Sequence, residues 1–249
     1  MHSKYSFDSL TEPKTILKMA RKRRLDIIGV TDHGTIRGGL ETQKMSRKLA
    51  SDVVVVVGAE IHTNAGDLVG LFLNEEIQGH NIEVVIDEIR TQDGLVFLPH
   101  PFKGHDIAQI QSVLDRIDLV EFLNARAPLT PDESQIVASW NIPFVSSSDA
   151  HLAREIGLCR TEIQSLQVKD DLETVKKSLT NLSKQILKGS FSPPYFETMS
   201  QLIKSIKTKR YQRIPLFALI HLREILKSVQ KRRFQLPDYS NPTYYLQMK

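Results

Sequence analysis

The chain has 249 residues, 41% hydrophobic and 25% charged, with a formal net charge of +4. That length buries a sizeable core, as one large α/β domain or as a barrel with a small appendage. The longest apolar runs, residues 53–57 and 214–220, are far shorter than the ~20 residues needed to span a bilayer, and polar residues follow Met1 at once, so no membrane association and no secretory leader are expected.

Cys159 is the single cysteine, which excludes an internal disulfide and points to a reducing, cytoplasmic setting. Beside Leu158 it reads as a packed thiol more readily than as a nucleophile. Charge is uneven. From residue 200 onward eleven basic residues face two acidic ones, a net +9, which leaves −5 for the rest. A mildly acidic body with a basic tail suggests an anionic partner.

In chain order, residues 1–9 carry His2 and Asp8 with no strand before them. Thr11-Glu12-Pro13 opens a helix, with Thr11 as N-cap and Ile16, Leu17 and Ala20 as its buried stripe. The run 26–33 then ends abruptly on Asp32 and His33. Near-continuous aliphatics of this kind mark buried parallel strands. After a turn at 34–39, where Gly38-Gly39 lacks the spacing of a phosphate-binding loop, residues 40–49 read as a helix. The pattern recurs. Residues 53–57 run into Glu60, 95–98 into His100, 119–123 into Asn124, and 143–145 into Asp149 and His151. A further apolar run, 68–73, follows Asp67, and helices are expected at 82–90, 107–117 and 131–140. Strand and helix alternate, which argues for βα units and a mostly parallel sheet. The rhythm breaks at 190–194. Amphipathic helices are expected at 196–208 and 214–229, and 235–249 shows no pattern.

A lone histidine at a strand end is most often structural. Here His2, Asp8, His33, Glu60, Asp67, His100, Asp149 and His151 form a set at or beside strand ends, which converge on one face of a closed α/β sheet. So many carboxylates and imidazoles would desolvate badly unless cations neutralise them. Such ligands suit zinc, manganese or iron, and a carboxylate bridging two ions suits phosphoester hydrolysis.

The stretches His2-Ser3-Lys4-Tyr5-Ser6-Phe7-Asp8-Ser9, Thr31-Asp32-His33-Gly34, Gly58-Ala59-Glu60, Pro99-His100-Pro101 and Ser148-Asp149-Ala150-His151 resemble, in order, the motifs of the PHP (polymerase and histidinol phosphatase) domains over residues 1–165. The resemblance implies a distorted seven-stranded, TIM-like β/α barrel, assigned to residues 1–190, and two or three divalent metals; the break at 190–194 and the basic helices beyond it read as a helical appendage over 191–249. It implies Glu60 as the bridging carboxylate, with His2 and Asp149 on one metal, His100 on the second, and Asp8, His33 and His151 on a third. Asp67 stands where many members have histidine. Glu60, Asp149 and His33 are expected to carry the chemistry.

Around that set, Asp32 is a candidate to orient a ligand, and His62 is either a pocket or a structural residue. Arg126 is either a phosphate fork or a surface arginine. Asn124, Lys103 and His105 are candidates for substrate contact, whereas His80 and His221 read as surface or packing residues. The family's first motif has two histidines separated by one residue. Aligned here, His2 is the second and the first would precede Met1, so either the start lies upstream or that ligand is absent. His2 is then expected on a loose segment, making its metal the weakest held. The preferred function is a metal-dependent phosphoesterase acting on a phosphorylated small molecule or nucleotide. The alternative is a nucleic-acid-binding or regulatory protein with a degenerate metal site, and a nuclease would combine both.

Overall fold

The apolar runs become strands, and burial on both faces explains their composition. In the computed structural model, which describes residues 1–163, 171–180 and 185–233, six strands pair in chain order into one curled half-barrel sheet: β1 (Ile27–His33), β2 (Val54–Thr63), β3 (Gly66–Leu71), β4 (Leu95–Leu98), β5 (Leu119–Asn124) and β6 (Phe144–Ser147). Helix α1 (Pro13–Lys22) precedes β1, and α2 (Arg37–Lys48), α3 (Ile82–Thr91), α4 (Ile107–Gln111) and α5 (Pro131–Ser139) lie between successive strands. In β4, Val96 and Leu98 join Ile86 and Ile89 of α3 in the outer core, while Leu95 and Phe97 meet Val69, Leu119 and Val145 inside the curl. A strand between two apolar layers has no face left for polar alternation. Ile16, Leu17 and Ala20 pack α1 onto Ile28, Val30, Val53 and Val55.

Local signals are mostly realised. Thr130 and Glu133 form a reciprocal capping box at α5. Thr11 does not cap α1; its hydroxyl donates instead to the His151 carbonyl at 3.3 Å, and Glu12 occupies the cap. The helix expected over 107–117 stops at Gln111 and resumes as a 3₁₀ turn, Leu114–Arg116.

Two features interrupt the run of βα units in this mostly parallel sheet. A tight turn at Asn64-Ala65, closed by the Thr63 hydroxyl donating to the Gly66 carbonyl at 2.7 Å, makes β2 and β3 a hairpin, so β3 runs antiparallel to both neighbours. The other pairings are parallel. The main sheet also has six strands rather than the seven of a closed barrel. The next strand, β7 (Cys159–Ile163), satisfies its backbone against β8 (Gln185–Gly189) in a five-residue antiparallel register. It meets the main sheet side-on, where Ser146 N–H donates to the Thr161 hydroxyl at 2.7 Å. At the opposite edge the first two residues bridge β1 to the segment after β6. Thr31 N–H donates to the Met1 carbonyl at 2.9 Å, and His2 N–H donates to the Ala150 carbonyl at 2.8 Å. His2 is therefore clamped rather than loose.

Helix α6 (Leu172–Thr180) precedes β8, and α7 (Pro194–Lys207) and α8 (Ile214–Arg233) follow. His221 on α8 packs as expected, its Nδ1 sharing a 2.7 Å hydrogen bond with the Thr198 hydroxyl on α7. The patternless stretch 235–249 lies outside the described residues. Among the described residues no helix is long and apolar enough to cross a membrane.

Candidate metal centre

The parallel strands carry their carboxyl ends to one edge of the sheet. His33 at the end of β1 is in register with Glu60 on β2, and His100, Asp149 and His151 follow β4 and β6 directly. Asp67 reaches the same edge because β3 is antiparallel: its first residues, not its last, lie there, with Asp67 opposite His62.

All eight expected ligands converge. They form three clusters in which one ligand atom per residue lies within 4.8 Å of the others: His2, Asp8, His33 and His151; His2, Glu60 and Asp149; and Glu60, Asp67 and His100. Glu60 faces both ways, with Oε2 3.3 Å from His2 Nε2 and Oε1 3.4 Å from His100 Nε2. Asp149 Oδ1 is 3.2 Å from His2 Nε2, and Asp8 Oδ2 is 3.2 Å from His33 Nε2 and 3.3 Å from His151 Nε2.

These spacings fit metal. A tetrahedral ion holding N and O ligands at ~2.1 Å sets neighbouring ligand atoms about 3.4 Å apart. The donor set, imidazole and carboxylate without thiolate, suits zinc, manganese or iron. Charge balance points the same way. Burial opposes ionisation of Asp8, Glu60 and Asp149, yet the facing imidazoles hold all three below the ordinary carboxylate range. Burial likewise pushes His100 down, but Glu60 outweighs it and raises the imidazole to about 9. His2 and His33 are also raised against the pull of burial. Without another cation, protons neutralise the site.

Three buried carboxylates hold the ligand-bearing segments by their backbones. Asp32 accepts from Ser3 N–H at 2.5 Å and the Ser3 hydroxyl at 2.6 Å, fixing the segment of His2. It thus orients a ligand through the chain rather than by touching an imidazole. Glu121 accepts from His100 N–H at 2.7 Å. Glu155 accepts from the N–H groups of His151 and Leu152 at 3.0 and 2.9 Å. His100 and Asp149 sit at φ +27° and +44°, a region costing a non-glycine residue about 1–3 kcal/mol, of a kind that persists where the surroundings over-determine it.

Glu121 and Glu155 were not singled out from sequence. Glu121 left a signal, being an acid inside the apolar run of β5; Glu155, in a polar loop, left none.

Three residues expected to contact substrate have their polar groups engaged within the protein. Arg126 is neither a surface residue nor a free fork: its side chain is 3% exposed and all five donors are taken. They go to both Glu155 oxygens at 2.8 and 2.9 Å, Glu197 and the Ser200 hydroxyl at 3.0 Å each, and the Phe196 carbonyl at 3.3 Å. The Asn124 amide oxygen accepts from Arg126 and Ala127 N–H groups, and its nitrogen donates to Glu121. His105 bonds the Asp67 carbonyl through Nε2 at 2.8 Å, and burial lowers its pKa, which suits a neutral prop for Asp67 better than an anion contact. Lys103 stays exposed on the loop after His100. His62 stands at the rim, 83% exposed and 2.8 Å from Asp67 Oδ1, and His80 is exposed. Cys159 is packed, with burial pushing its thiol up to about 12.

Comparisons with known proteins agree with this architecture. A family model for a PHP-associated region matches residues 133–178. An uncharacterized protein of Methanocaldococcus jannaschii, MJ1587, is 41% identical over 137 residues, covering 50% of this chain and 79% of that protein. A two-domain protein from Bacteroides vulgatus containing a predicted PHP-like metal-dependent phosphoesterase superposes with a TM-score of 0.63 at 18% identity, over 76% of this chain and 63% of its own. PsfC from Pseudomonas syringae superposes with a TM-score of 0.55 at 18% identity, over 77% of this chain and 88% of its own. With the ordered motifs on one edge of a curled α/β sheet, the chain belongs to the PHP domain family.

Proposed function

We propose that the chain is a metal-dependent phosphoesterase using two or three divalent ions, zinc, manganese or iron. The observation that carries this is Glu60, whose two oxygens face separate imidazoles at 3.3 and 3.4 Å and so join two clusters. When bound, the metals supply an acidified water as nucleophile and polarise the phosphate oxygens. Glu60 holds the two positions at a fixed separation, Asp149 and His2 complete one side, and Asp67 and His100 complete the other. His33 spans clusters, with Nε2 on Asp8 and Nδ1 3.9 Å from Glu60. Burial of the ligands keeps bulk water out, so each charge acts in a low dielectric.

The substrate class we favour is a phosphorylated small molecule or nucleotide. Lys103 is the remaining expected contact whose side chain is exposed beside the site. A nucleic-acid substrate has as its support the +9 charge of residues 200–249. Purified protein loaded with zinc or manganese and assayed on phosphomonoesters, nucleotides and oligonucleotides tests the reading; metal-loaded protein inert on the whole panel overturns it. Binding of oligonucleotide through the basic segment should weaken steeply with salt.

A further inference from the structure

Of the cluster of His2, Asp8, His33 and His151, three members, Asp8, His33 and His151, are each reached from one helix beyond the half-barrel, α7. At its C-terminal end, the Lys207 ammonium donates to the carbonyls of Lys4 at 2.7 Å and Ser9 at 3.1 Å, and also to that of Ser6. These carbonyls bracket Asp8, whose Oδ1 in turn accepts from the Ser6 hydroxyl at 2.8 Å. One turn back, the Lys204 ammonium lies 4.4 Å from the centre of the Phe7 ring, and Phe7 stacks on His33 at 4.5 Å with only 6° between planes. Near the N-terminal end, Glu197 and Ser200 hold Arg126, Arg126 grips Glu155 through both oxygens, and Glu155 fixes the His151 backbone.

We propose that α7 is a positioning element of the Asp8–His33–His151 metal site, with Lys207 as its principal contact. The inference rests on the metal-centre reading above. An irregular loop carrying Ser3, Ser6 and Ser9 gains a defined shape when one cation gathers its carbonyls, because an ammonium offers three donors. An ordered loop holds Asp8 ready, so metal binding need not order it at that moment. Outer groups that orient ligands commonly change metal affinity 10–100-fold.

The test uses the full chain as wild type, Lys207→Met, Lys207→Arg and, as a marker for loss of this site, Asp8→Asn. Zinc bound per chain is measured across graded free zinc, alongside hydrogen exchange of amides 4–9. Lys207→Met should weaken, about tenfold or more, the same class of zinc that Asp8→Asn removes, while zinc held by Glu60 and His100 is retained. Lys207→Arg should recover part of it, and exchange at 4–9 should quicken in the methionine variant alone. Unchanged binding, or equal loss of every class of zinc, overturns the proposal. If wild type binds no zinc, the metal-centre reading fails, and exchange alone decides whether Lys207 holds the loop. Should Lys207→Met not fold, Lys204→Met replaces it, with the smaller loss of zinc expected at the same site.

Discussion

Among the candidate ligands, Glu60 belongs to two clusters and Asp67 to one. Glu60→Gln should therefore cost more metal and more activity than Asp67→Asn, and equal losses would argue against a bridging carboxylate. Protonation makes a second test. His100 is raised to about 9 from an ordinary 6.5, so its protonated form stabilises the metal-free fold fully below pH 6.5, and this contribution fades as pH rises through about 9. Asp8 is held below its ordinary 3.8, so its contribution is present above that pH and is lost on acidification. Thermal melts of metal-free protein should plateau between about pH 4 and 6.5 and then decline; a melting point still climbing from pH 6.5 to 9 would contradict this. Zinc displaces those protons, so apparent affinity should rise over the same alkaline range with proton release measurable by calorimetry in two buffers. Six of the eight candidate ligands were legible because each terminates or flanks an apolar run, whereas His2 and Asp8 stood out only through the motif they share. Their partners were less so, since a loop glutamate such as Glu155 carries no pattern in sequence.

Strand ends alone do not fix this site; the elements around them do. Arg126 and Glu155 tie β5, the loop after β6 and α7 together with side chains 3% and 0% exposed. Removing one partner strands a buried charge, so Arg126→Met should cost about 3–5 kcal/mol. The double variant Arg126→Met/Glu155→Gln should cost less than the sum of the singles, and strict additivity in chemical denaturation would argue against the pair. Gly38 on α2 makes a related point. A Cβ there would lie 1.8 Å from Asp32 Oδ2 and 2.2 Å from the Ser3 hydroxyl. Gly38→Ala should therefore break the Asp32–Ser3 clamp and weaken the metal that His2 shares with Glu60 and Asp149, measured as zinc per chain. The glycine pair read from sequence as lacking a nucleotide role has a packing role instead. The hairpin was hidden for a different reason. Residues 68–73 read as one more buried strand, and strand direction follows from the short Asn64-Ala65 turn, not from hydrophobicity.

Across the whole molecule, the α/β class, the strand sequence and the shared edge followed from apolar runs ending on polar groups. The open side of the sheet did not, because β7 is taken up by β8 and the first residues of the chain bridge the gap. Nor did the wiring of α7 into the centre, which depends on Arg126 and Lys207 finding acceptors far away in sequence. Two of the basic C-terminal residues, Lys204 and Lys207, are thus joined to the site through α7. The account stands or falls on Glu60 joining two metal positions. Metal per chain, measured by mass spectrometry on wild type and Glu60→Gln after dialysis against buffered zinc or manganese, tests this most directly. Wild type should retain at least two ions, and the variant should lose both that Glu60 shares, with phosphoesterase activity falling in step. Wild type without bound metal, or a variant that keeps the full complement, would contradict it.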